Sequence, residues 1–178
     1  MPAYVAMLRG VNVGGNPQKM AWLRGACEDM GLREVRTYLQ SGNIIFVSSL
    51  GAAKLAAMLK ERIDKQTRLP VPVIVRAAKE MSDIVAQNPF LKRKGIDATK
   101  LHVTFLADAP KQPDIERLDK LAGSRDEYHL ARRELFLHCP INYGETKLSN
   151  TTIEKALGVG ATTRNWNTVM ALAEMVDS

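Results

Sequence analysis

The chain has 178 residues, of which 46% are hydrophobic and 25% charged, an ordinary globular balance with length for one sizeable core or two small halves. No basic-then-apolar leader follows Met1 and no apolar run approaches about 18 residues, so neither secretion nor a membrane span is expected, and a cytoplasmic location is. The net charge of +6 is uneven: residues 1–100 carry 16 Lys/Arg against 8 Asp/Glu, and residues 101–178 carry 9 against 11. A basic first half invites an anionic partner. Cys27 and Cys139 form no CxxC pair and read as reduced, structural thiols.

Residues 4–8 form a short apolar run with the length of a buried strand. A loop rich in Gly and Asn follows, and Asn16-Pro17 then fits an N-cap and first helical residue. Met20, Leu23, Ala26, Cys27 and Met30 repeat at helical spacing, and Gly31 ends that helix. Residues 35–39 and 44–47 read as a hairpin around Ser41-Gly42-Asn43. Leu55, Met58, Leu59 and Ile63 mark a second helix. Residues 71–75 are a fourth strand, which Pro72 places at an edge. Met81, Ile84 and Val85 mark a third helix, stopped by Asn88-Pro89. The stretch 92–100 reads as a loop or linker.

The pattern then restarts. Residues 101–106 are a strand, and Ile115, Leu118 and Leu121 face one side of a helix. Residues 126–130 and 135–139 pair around Ala131-Arg132-Arg133, and Thr151-Thr152-Ile153-Glu154 fits a capping box. Thr162 or Thr163 reads as the N-cap of a last helix bearing Trp166, Val169, Met170, Ala173 and Val176. The expected fold is α+β: two ferredoxin-like βαββα units with mostly antiparallel sheets, packed as one body. Residues 1–90 form the first half, with an extra strand and helix, and 91–178 the second. The shared element order suggests an internal duplication, although no sequence repeat is visible.

Leu8-Arg9-Gly10-Val11-Asn12-Val13-Gly14-Gly15, Thr37-Tyr38-Leu39-Gln40-Ser41-Gly42-Asn43, Asn88-Pro89-Phe90, Lys147-Leu148 and Thr162-Thr163-Arg164-Asn165-Trp166-Asn167-Thr168 occur in this order. Together they resemble the DUF1697 family, bacterial proteins of unknown function, over nearly the whole chain. Thr146 stands where the family pattern has Ser, and keeps the hydroxyl. The resemblance implies two related α/β halves with antiparallel sheets and implies no chemistry.

The candidate ligand-binding residues therefore come from the sequence itself. Arg9, Asn12, Gly14 and Gly15 follow the first strand, where Arg offers a fork of donors and Gly a close backbone approach. Ser41 and Asn43 sit in the hairpin turn. Arg164, Asn165 and Asn167 are expected at the first turn of the last helix. A cation beside that positive dipole end is unfavourable by a few tenths to about 1 kcal/mol unless an anion compensates it. Lys147 is a second cation for the same ligand. These residues are expected to converge on one polar cleft for a nucleotide or another phosphorylated small molecule. The rival readings are an enzyme acting on a phosphorylated or acyl substrate there, and a nucleic-acid binder using the basic half.

No catalytic set, cofactor or metal site is recognisable. His102, His129 and His138 have no further ligands at metal-like spacing. An RRM-type surface is disfavoured, because Asn43 and Ile45 stand where stacking aromatics belong and only Tyr4 remains on the first strand. RNA binding, if present, is expected to be weak, sequence-independent and salt-dependent. No membrane partner is expected, and the oligomeric state is left open.

Overall fold

The computed structural model describes residues 1–10, 17–38, 42–68 and 70–178, with the backbone alone at 17–19. In chain order the elements are β1 (Ala3–Leu8), α1 (Pro17–Asp29), β2 (Arg33–Tyr38), β3 (Asn43–Val47), α2 (Ala52–Thr67), β4 (Val73–Ala77) and α3 (Ala78–Gln87). They continue with β5 (Leu101–Leu106), α4 (Ile115–Ala122), β6 (Glu127–Leu130), β7 (Glu134–His138), α5 (Asn150–Leu157), β8 (Ala161–Asn165) and α6 (Trp166–Asp177). The strands form two four-stranded sheets, β2-β3-β1-β4 and β6-β7-β5-β8, antiparallel at every pairing. Contacts divide the chain into one unit of residues 1–83 with 171–178 and another of residues 84–170. The expected α+β architecture is present, with a ferredoxin-like strand order in each sheet.

In the first unit α2 turns Leu55, Leu59 and Ile63, spaced at helical intervals, onto the sheet face formed by Tyr4, Ala6, Leu8, Ile44 and Phe46. Tyr4 lies in this core, its ring 6.0 Å from that of Phe46, so it is not a stacking platform for RNA. The opposite face is buried too: Val5, Met7, Ile45, Ile74 and Arg76 are at most 3% exposed. An open RRM-like sheet surface is therefore absent from this unit. Strand β4 is an edge strand, as Pro72 requires, and the Pro72 carbonyl accepts the Arg9 backbone N–H at 3.1 Å. Residues 171–178 close the unit. Arg36 donates to Ser178 Oγ at 3.1 Å and to the Met175 carbonyl, holding the last turn of α6 where unpaired carbonyls gather.

In the second unit Leu118, Ile153, Ala156 and Leu157 of α4 and α5 cover Leu106, Leu135 and Leu137 of the sheet. The cap of α5 is Ser149, whose hydroxyl accepts from the Thr152 N–H. The expected capping box at Thr151 is absent, since Glu154 instead accepts the Ala161 N–H at 2.9 Å. That bond ties α5 to the start of β8, a strand the sequence reading omits. Residues 161–165 pair along β5, so the second half runs βαββαβ and not βαββα. The expected N-cap at Thr162 or Thr163 is corrected accordingly. Asn165 caps α6, its side-chain oxygen accepting the Thr168 N–H at 2.8 Å.

The two sheets carry a buried arginine at the same register. Arg76 is the fourth residue of β4 and pairs with Val5, the third residue of β1. Arg164 is the fourth residue of β8 and pairs with Val103, the third residue of β5.

The Asn88-Pro89-Phe90 motif opens a 3-10 turn, with Asn88 Oδ1 accepting the Phe90 N–H. Phe90 packs 5.8 Å from the His138 ring, with the Arg93 guanidinium over its own ring. Arg93 also grips Glu127 through two bonds of 2.8 and 2.6 Å, and Glu127 meets His138 Nδ1 at 2.9 Å. The Arg93 and His138 bonds hold the Glu127 carboxyl down to about 2. A depressed carboxylate stabilises the fold above its ordinary range and loses that contribution as pH falls toward 2. Glu127→Gln should therefore flatten the acid limb of stability between about pH 4.5 and 2, read from urea midpoints at pH 7, 4 and 3. An unchanged slope in the variant would remove Glu127 from the account. Among the described residues no helix is long and apolar enough to cross a membrane.

Candidate functional site

Pairing of β5 with β8 places His102 directly opposite Asn165, on the face of the sheet that α4 and α5 cover. Residue alternation then sets the rest. Asn165 ends its strand and α6 begins at once, so Trp166 and Asn167 follow it around the corner. Tyr143, in the 3-10 turn Tyr143–Glu145, stacks on His102 with ring centroids 4.5 Å apart. The short turn Ala98–Lys100 delivers Thr99 and Lys100 beside them. The result is a cavity of about 230 Å³ at the start of α6, lined by these residues with Ala98 and Asn142.

Its polar groups are largely fixed. Lys100 Nζ donates to the Ile141 carbonyl at 2.7 Å. Asn142 is held twice by Glu145, accepting its N–H and donating to its carboxylate. Thr99 donates to Asp97 at 2.6 Å. Burial pushes the His102 imidazole below its ordinary value, with the nearby Lys100 carbonyl working the other way. Burial pushes the Tyr143 phenol up, opposed by its bond with Thr163. Behind Tyr143 the Thr163 hydroxyl donates to Asn150 Oδ1 and meets the Thr104 hydroxyl, both at 2.7 Å. The described lining carries one Lys and no carboxylate.

Two of the sequence-predicted residues, Asn165 and Asn167, line this cavity. Arg164 does not. It stands in β8, not in the first turn of a helix, so the dipole argument for an anion beside it fails. Its side chain points to the other sheet face, is 8% exposed, and donates to Thr162 Oγ1 at 2.8 Å and the Thr163 carbonyl at 2.9 Å. Burial pushes its pKa down to about 10. Lys147 is exposed in the turn before α5. The Thr146 hydroxyl beside it donates to Asp126 at 2.7 Å and accepts the Leu148 N–H, a use for the hydroxyl that the family resemblance singled out.

In the first unit, Asn43 is fully buried and donates to the Tyr38 carbonyl at 2.9 Å, clamping the β2–β3 hairpin. Arg9 is half-buried at the end of β1. Asn12, Gly14, Gly15 and Ser41 lie outside the described residues. A larger groove, of about 540 Å³, runs beside Arg33, Glu34 and Arg36. Its charges are mixed, and Arg36 is already committed to the end of α6. The thiols are unsuited to nucleophilic work, since burial pushes Cys27 up to about 12 and Cys139 to about 11. Among the described residues no group of three or more His, Cys, Asp or Glu is placed to hold a metal.

Fold and site together define a pair of ferredoxin-like α/β units with a small polar cavity in the second. The chain belongs to DUF1697, described as a protein of unknown function, whose family model matches residues 1–136. The motifs at 147–148 and 162–168 lie beyond that span. The conserved bacterial protein SP0830 from Streptococcus pneumoniae has a similar structure, with a TM-score of 0.67 at 21% identity over 98% of each chain. At that identity the likeness establishes the fold alone. No curated protein matches the chain.

Proposed function

We propose that the chain is a binding protein for an anionic small molecule, a phosphorylated one first, held in the cavity at the start of α6. One observation carries the reading: the described lining brings Lys100 to a helix N-terminus and includes no carboxylate. Trp166, Tyr143 and His102 add flat surfaces beside the charge. Cavities for drug-sized ligands run from about 300 Å³ upward. At about 230 Å³ this one suits a small phosphorylated or carboxylated molecule, or the anionic end of a nucleotide. The enzyme alternative has weaker support, since no group here combines a nucleophile with an oriented base. Two free, buried cysteines support a reducing, cytoplasmic setting. The register-matched Arg76 and Arg164 support descent of the two halves from one duplicated unit.

Thermal shift of the full chain against phosphate, sulfate and nucleotides tests the binding reading. A ligand at 100 times its Kd stabilises by about 2.7 kcal/mol, or about 5–10 °C for a chain of this size. Lys100→Ala and Asn167→Ala should remove that shift, while Lys54→Ala on the exposed side of α2 should retain it. No shift with any anion, or the same shift in Lys100→Ala, refutes the proposal.

A further inference from the structure

We propose that His138 is a phosphoryl-accepting residue, its Nε2 taking the phosphoryl group of a small N-phosphoryl donor. The inference is independent of the α6 cavity and rests on four side chains of the second unit, Phe90, Arg93, Glu127 and His138. Strand register places Glu127 of β6 opposite His138 of β7, and a carboxylate oxygen meets the ring Nδ1 at 2.9 Å. Arg93 grips the same carboxylate through two bonds. A carboxylate held that far down is ionised at neutral pH and can only accept. The ring proton therefore sits on Nδ1 and the lone pair on Nε2. Phe90, itself buried, packs 5.8 Å from the ring. Tautomer and orientation are both set.

Nε2 is left for a ligand. Among the described residues no hydrogen bond reaches it. It is not one of the buried side-chain atoms without a partner, so it lies on the part of the side chain, 14%, that stays open. An imidazole oriented by a carboxylate is the arrangement that makes a ring nitrogen nucleophilic. In the transfer an Nε2–P bond forms as the donor's P–N bond breaks. The leaving nitrogen, already protonated, departs with the electron pair as a neutral amine. The ring keeps its Nδ1 proton and becomes cationic, a charge that Glu127 stabilises. Lys92 and Lys94 flank Arg93, are exposed, and pair with no carboxylate among the described residues, which supplies cations for the added group. Asp97 also lies in electrostatic range of the ring, with its carboxylate turned into bonds from the Thr99 N–H and hydroxyl.

Incubation of the full chain with phosphoramidate near neutral pH, read by mass spectrometric fragmentation and phosphorus NMR, tests this. His129 is the internal comparison, since it is more exposed but no carboxylate orients its ring among the described residues. His138 should be labelled about fivefold faster than His129, and on Nε2 alone. Glu127→Gln should slow His138 by about fivefold and give a mixture of Nδ1 and Nε2 products, because an amide can accept or donate. The same variant should leave His129 unchanged. Labelling of His129 as fast as His138, label on Nδ1 in the parent chain, or no label at His138 overturns the proposal. So does a Glu127→Gln chain, folded by circular dichroism, that is labelled as the parent is. If that variant does not fold, the comparison of His138 with His129 in the parent chain decides alone.

Discussion

Arg164→Ala should lower the melting temperature by about 10 °C, and Arg164→Met should restore most of the loss. The side chain is 8% exposed within a sheet face shared with Val103 and Phe105, so truncation to Ala leaves a hole and strands the Thr162 hydroxyl and Thr163 carbonyl. Such losses run at about 3–5 kcal/mol for buried charged groups, and each kcal/mol is worth about 2–4 °C at this length. Met refills the space that the arginine stem occupies. It also avoids the desolvation that pushes the guanidinium down to about 10. Thermal denaturation of the two variants decides the matter. If Ala leaves the melting temperature within 2 °C of the parent yet abolishes anion-dependent stabilisation, Arg164 belongs to the binding site and not to the core.

Phe46→Ala should cost about 3–5 kcal/mol, measured from urea unfolding. Phe46, the fourth residue of β3, is fully buried beside the Tyr4 ring in the core that α2 covers. Phe46→Leu, nearer in volume, should cost less than half as much. A cost below 1 kcal/mol for Phe46→Ala would mean that this face is not the packed core of the first unit.

The fold was legible wherever a strand or helix buries apolar residues at a regular period. Residues 101–106 illustrate this: the expected strand and β5 have identical bounds. Strand β8 was not legible, and the reason is specific. Its inward positions on one face are Thr162 and Arg164, so no apolar alternation marks it, and it runs into α6 with no loop between. Two threonines before a helix then resemble a cap. Arg164, for that reason expected at a helix end, is a strand residue on the far face. Within the cavity, Asn165 and Asn167 were found for their polarity near a helix start. Lys100, His102 and Tyr143 were missed as site residues, because each is unremarkable alone. Only the β5–β8 register and the ring stack bring them together, and long-range pairing leaves no local trace in sequence.

Residues 171–178 belong with residues 1–83, although 87 residues separate the two stretches along the chain. During synthesis the ribosome therefore releases the first sheet long before the segment that completes its unit. Arg36 has no Met175 carbonyl or Ser178 to bind until residues 84–170 have been synthesised. Residues 84–170 form a contiguous unit, whereas the first is complete only once residues 171–178 have joined it. The first unit is thus discontinuous in sequence, and the helix end acts as its clasp.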